Sequence, residues 1–117
     1  MDVITILKAL SDENRIRILN ILNYGELCVC EIEYILQISQ SNVSRHLNRL
    51  NNAKIIENYK KAQFVYYKIN EDTVNKHNFI KDILNNEMSK IEQCKIDMDN
   101  FKKFKESKIE CNTIKFR

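Results

Sequence analysis

Residues 40–53, Gln40-Ser41-Asn42-Val43-Ser44-Arg45-His46-Leu47-Asn48-Arg49-Leu50-Asn51-Asn52-Ala53, decide how the rest of this chain is read. Val43, Leu47 and Leu50 recur at i, i+4 and i+7, the spacing of one apolar stripe on a helix. With Gln40 or Ser41 opening that helix, Asn42, Ser44, Arg45, His46 and Arg49 are left on its outer faces. Such a helix docks by a narrow stripe and presents short hydrogen-bonding side chains outward. That is what reading DNA requires, because only the major groove admits a helix and displays a full donor–acceptor code.

Upstream, Val3, Ile6, Leu7 and Leu10 mark a first helical face. Ser11 and Asp12 supply capping side chains for a second helix through Ile16, Ile18, Leu19 and Leu22. Gly25, the single glycine, ends it in a left-handed conformation. Glu26 to Leu36 reads as a short third helix, and Gln37-Ile38-Ser39-Gln40 as the turn into the fourth. Downstream, Lys54 to Glu57 begins a strand, Asn58 to Ala62 is a polar, basic loop, and Ala62 to Ile69 (AQFVYYKI) is a second strand. From Phe79 a broad stripe of Ile80, Ile83, Leu84, Met88 and Ile91 predicts one long helix to about residue 104. So small a core cannot cover it all, so part of that face is expected to meet a second subunit.

The order of elements is that of a winged helix-turn-helix: mainly α with a β-hairpin wing, and dimeric. The expected divisions are a DNA-binding domain over 1–78, a dimerisation helix over 79–104 and a tail over 105–117. Charge supports this. The net charge is +3, but residues 41–70 hold Arg45, Arg49, Lys54, Lys60, Lys61 and Lys68 against Glu57 alone. Residues 1–40 carry three basic and six acidic side chains, so the positive charge is concentrated where phosphates would lie. Gln40, Ser41, Asn42, Ser44, Arg45, His46 and Arg49 are therefore the expected DNA contacts, with Lys60 and Lys61 reaching the flanking backbone or minor groove. Arg45 and Arg49 serve base edges or phosphates; sequence does not separate the two roles.

The N-terminal MDVITILKALSDENR has no basic leader, and no apolar run approaches membrane-spanning length, so a cytoplasmic protein with no membrane partner is expected. In that reducing compartment four cysteines read as thiols or metal ligands rather than as a disulfide framework. An enzyme is not expected: there is no Cys-x-x-Cys motif, no phosphate-cradling glycine loop and no paired carboxylates in a plausible pocket. Cys28 and Cys30 flank Val29, and thiolates select soft ions. In a regular helix, residues i and i+2 point about 200° apart. Gripping one ion between them is therefore expected to unwind the start of the third helix and so disturb the fourth, which it supports.

Gly25-Glu26-Leu27-Cys28-Val29-Cys30-Glu31-Ile32, Gln40-Ser41-Asn42-Val43-Ser44-Arg45-His46-Leu47 and Phe64-Val65-Tyr66-Tyr67-Lys68-Ile69, with Leu10 to Leu19 before them, resemble the ArsR/SmtB family of metal-sensing repressors. The similarity extends over residues 3–90. It implies a homodimer that binds a palindromic double-stranded operator and leaves it when a toxic ion binds. The Glu-Leu-Cys-Val-Cys run resembles the thiolate site of members that sense arsenite and antimonite, or cadmium and lead. A pyramidal arsenite site wants a third thiolate. Some arsenite sensors carry one three residues after the second cysteine, but Glu33 stands there in this chain, leaving Cys94 and Cys111 as the remaining candidates. The alternatives are a cadmium- or lead-type sensor and a thiol redox or reactive-sulfur sensor of the same fold.

Overall fold

The computed structural model describes residues 2–107. Three capped helices and a short strand come first. Helix α1 (Val3–Leu10) begins at Asp2, whose carboxylate accepts the Thr5 N–H, and α2 (Glu13–Leu22) begins at Asp12, which accepts from Arg15. Strand β1 (Leu27–Cys28) then runs into α3 (Val29–Leu36). Here the structure departs from the expected helix over 26–36. Leu27 and Cys28 are extended and pair with Tyr67 and Tyr66, so the helix starts only at Val29. Gly25 has φ 158°, positive but far from the left-handed helical region, and sits beyond the end of α2.

Gln37 ends α3 in the left-handed conformation (φ 57°), and Ser39 caps α4 (Gln40–Asn52) by accepting from Asn42. Strands β2 (Ile56–Lys61) and β3 (Phe64–Ile69) form the wing, in the sheet order β1-β3-β2. The hairpin is tighter than the sequence suggested. Pairing continues to Lys61 opposite Phe64, leaving Ala62 and Gln63 as the turn, with Ala62 left-handed at φ 57°. Lys60 and Lys61 are therefore the last residues of a strand rather than part of a loop.

Val43, Leu47 and Leu50 are fully buried with Ile18, Leu19, Ile32, Ile35, Ile55 and Ile56, so the predicted stripe of α4 faces the core. The expected long helix over 79–104 is not continuous. After α5 (Glu71–Lys76) and α6 (Asn78–Asp82), a π-helical turn (Ile83–Glu87) and a 3-10 turn (Met88–Lys90) lead to Ile91, whose extended backbone (φ −87°, ψ 124°) breaks the helix. Helix α7 (Glu92–Ser107) then packs against α2 and α3. Burial explains the break. Ile80, Leu84 and Met88 reach the core before Ile91, and Cys94, Phe101 and Phe104 after it, on a face that one straight helix would not offer.

An ion pair fixes α7 in place. Arg17 Nε and Nη2 donate to the two carboxylate oxygens of Asp97 at 2.7 and 2.9 Å, and Nη2 also reaches the Leu36 carbonyl. Asp97 is buried, and its hydrogen bonds raise the Arg17 pKa. Phe101 and Phe104 lie against Tyr24 and Tyr34. Among the described residues no helix is long and apolar enough to cross a membrane.

Candidate functional site

The outer face of α4 carries most of the residues expected there. Gln40, Ser41, Asn42, Arg45 and Arg49 are exposed, and Ser44 is half-buried. Arg45 Nη2 donates to Asn42 Oδ1 at 3.1 Å, which sets the two side chains side by side near the positive end of the helix dipole. On the wing Lys60 and Lys61 are exposed, and Asn58 Nδ2 donates to Asn51 Oδ1 at 3.1 Å, tying β2 to the end of α4. Helix and wing thus form one basic, polar surface.

His46 departs from its expected role. It is 2% exposed, with Nδ1 3.3 Å from Arg15 Nη1 and 3.9 Å from Asp12 Oδ1. One step of the helix past Arg45 turns it from the outer face toward the α1–α2 corner, so it presents nothing to a base edge. Beside this surface lie residues that sequence reading left out. Thr5 and Lys8 of α1 line a hollow of about 270 Å³ with Arg49 and Asn52. Lys8 lies in the net-acidic first third of the chain, so segment charge gave no signal for it.

Cys28 and Cys30 are brought together without any unwinding: their sulfurs lie 3.3 Å apart. Cys28 is the extended N-cap of α3 (φ −92°, ψ 169°), so the 200° divergence of a regular helix does not apply to this pair. Glu31 accepts the Cys28 backbone N–H at 2.9 Å and holds that conformation. The spacing Cys-x-x-Glu was the readable signal for this cap. Burial pushes the Cys28 thiol up to about 11, against the pull of the Glu31 backbone N–H. Cys30 is half-buried and disulfide-bonded, so Cys28 is the free thiol of the two.

The sulfur pair opens on a groove of about 530 Å³ walled by Val29, Glu33, Gln40 and the wing residues Gln63, Phe64 and Val65. The first residue of α4 and the tip of the wing therefore face the same space as the sulfurs. Cys94 lies elsewhere. It is buried on α7, its carbonyl accepts from Asn20 Nδ2 of α2 at 3.1 Å, and burial pushes its thiol up to about 11. Among the described residues no group of three His, Cys, Asp or Glu side chains is placed to hold one metal ion. Cys111 lies outside the described residues.

Comparison with known proteins agrees with this architecture. Residues 12–58 match the model of the bacterial regulatory protein, arsR family. A cadmium resistance transcriptional regulatory protein CadC homolog of Staphylococcus aureus is 40% identical over 63% of this chain and 62% of its own length. The arsenic resistance transcriptional regulator ArsR1 of Pseudomonas putida is 43% identical over 57% of this chain and 53% of its own. The chain thus spans less than two thirds of these two relatives. It covers more of an arsenical resistance operon repressor of Staphylococcus xylosus, 36% identical over 69% of this chain and 78% of that protein. Among solved structures, HlyU of Vibrio cholerae superposes with a TM-score of 0.60 at 33% identity, covering 70% of this chain and 89% of HlyU. From β1 through the wing, then, fold and sequence lead to one conclusion: the chain belongs to the arsR family of bacterial regulatory proteins.

Proposed function

We propose that this protein is a cytoplasmic, homodimeric repressor that binds a palindromic operator through α4 and the wing and releases it when arsenite or antimonite binds Cys28 and Cys30 with Cys30 in its reduced form. The observation that carries this reading is the shared groove. An ion on the two sulfurs occupies the space between Gln40, which opens the reading helix, and the wing tip. Cys28 is also paired through β1 to Tyr66 of β3, so strain at the sulfur passes into the wing. A coupling of about 1–3 kcal/mol weakens DNA binding roughly 5- to 150-fold, enough for a switch. Val3, Ile4 and Leu7, exposed together on α1, supply apolar surface for the second protomer.

Two features favour arsenite over a divalent cation. With metal–sulfur bonds of about 2.3 Å, sulfurs 3.3 Å apart subtend roughly 90°, tighter than a tetrahedral site and suited to a pyramidal ion. The protonation balance points the same way. A divalent cation must expel the Cys28 proton into solvent from a thiol at about 11, whereas the hydroxides of arsenite leave as water and carry the thiol protons with them. The third ligand in this reading is Cys111 or a thiolate of the second protomer.

The test uses a duplex selected by the protein from a random library and follows its release by fluorescence anisotropy. With Cys30 kept reduced by a phosphine, arsenite is expected to release wild-type protein with an affinity nearly flat in pH. Cadmium affinity should climb about tenfold per pH unit for each proton displaced. The Cys28→Ser/Cys30→Ser variant should keep DNA binding and lose arsenite release. Release that persists in that variant, or release by peroxide alone, sinks the arsenite reading.

A further inference from the structure

We propose that Arg15 and His46 are positioning residues that lock α4 against the α1–α2 corner only while His46 is neutral, so that operator affinity falls as its imidazole takes a proton. This inference rests on α4 being the DNA-reading helix.

Arg15 is 7% exposed and acts as the hub of the corner. Its Nε donates to the Ala9 carbonyl at 2.6 Å and its Nη2 to the Lys8 carbonyl at 3.3 Å, satisfying acceptors at the end of α1. Its Nη1 lies 3.3 Å from His46 Nδ1 on α4. One guanidinium therefore joins α1, α2 and α4. Because a guanidinium has no acceptor, the bond forms only if Nδ1 offers its lone pair, which places the ring proton on Nε2. Protonation puts an N–H on Nδ1 facing another N–H, and the link breaks.

The surroundings oppose that proton. The charged groups facing His46 are Asp12 from the α1–α2 connection, Arg15 from α2, and Arg45 and Arg49 from α4 itself. Three cations stand against one carboxylate, and that carboxylate is 3.9 Å away and already caps α2 through the Arg15 N–H. Burial lowers the His46 pKa, with Asp12 acting in the opposite direction. Neutral His46 thus closes the corner at neutral pH, and acidification opens it.

The sign of the effect separates this role from direct DNA contact. A histidine touching phosphate gains charge on acidification and binds DNA more tightly. His46 as a positioning residue predicts weaker binding, approaching about tenfold per pH unit below its midpoint for each protomer engaged, the limit set by one proton per His46. The same protonation lowers fold stability as pH drops below the unfolded histidine value, because the unfolded chain then holds the extra proton. Circular dichroism at each pH therefore has to show that the domain remains folded where affinity is read.

The experiment measures anisotropy of the library-selected duplex at constant salt from pH 8 to 5.5. Wild-type affinity should fall with acid. His46→Asn sets an untitratable oxygen where Nδ1 lies, and should keep the pH 8 affinity while losing the acid response. His46→Leu, with no acceptor, should bind weakly at every pH. Nitrogen-15 NMR of wild-type protein checks the claim if a variant fails to fold: Nδ1 should be unprotonated at pH 8 and take its proton over the range in which affinity falls. A flat or opposite wild-type profile, an Nδ1–H tautomer at pH 8, or an acid response retained in His46→Asn overturns the proposal. Arg45→Ala, read at pH 8, tests the assignment of the reading helix independently.

Discussion

Helices α4 and α7 are the two longest of the described residues, and they are held in opposite ways. Helix α4 docks by three aliphatic side chains, Val43, Leu47 and Leu50, and leaves amides, a hydroxyl and two guanidiniums in solvent. Helix α7 docks by an ion pair and two phenylalanines, with Asp97, Phe101 and Phe104 buried against α2 and α3. Burial on α4 is apolar apart from His46, and its exposed polar groups face solvent. On α7 the most specific polar contact is used internally. The contrast separates a helix whose outer face stays open from one that braces.

The largest effect should come from breaking the brace. Asp97→Ala leaves Arg17 without its carboxylate in a partly buried site, and loss of one partner of such a pair costs about 3–5 kcal/mol. The expected outcome is a urea midpoint shifted far down. If the midpoint moves by less than about 1 kcal/mol equivalent, α7 is held by Phe101 and Phe104 instead.

Arg45→Ala should do the reverse. Arg45 is exposed and its side chain hydrogen-bonds Asn42, so stability should stay within about 0.5 kcal/mol of wild type. Affinity for the selected duplex should fall by about 1–3 kcal/mol if Arg45 reads a base, with reduced discrimination at one position. Uniform weakening across sequences would assign it to phosphate.

The same contrast accounts for what was legible in the sequence. An apolar stripe at helical spacing is a local signal, so Val43, Leu47 and Leu50 placed α4 and its outer face correctly, His46 excepted. His46 was misplaced because its partner, Arg15, lies 31 positions away. The break at Ile91 was invisible for a similar reason: it follows from the packing of α7 on α2 and α3, whose contacts are as distant in sequence as Arg17 and Asp97, 80 residues apart. Helical periodicity read Cys28 and Cys30 as divergent because a two-residue strand such as Leu27–Cys28 exists only through pairing with Tyr66 and Tyr67. Local pattern reports faces, whereas long-range pairing sets where elements begin, end and bend.

The smallest effect belongs to the wing and extends the contrast to the binding surface itself. Lys61 ends β2 opposite Phe64, exposed, beside the two-residue turn. It has no role in the core, so Lys61→Gln should leave the urea midpoint unchanged. If it neutralises a phosphate, the slope of log affinity against log salt should become shallower by about one, equally on selected and unselected duplexes. Lys8→Gln makes the matched comparison, because Lys8 lines a hollow with Arg49 where α1 packs on α4. Equal changes in slope would show the phosphate surface running from α1 across α4 to the wing. A change for Lys61 alone would confine it to α4 and the hairpin.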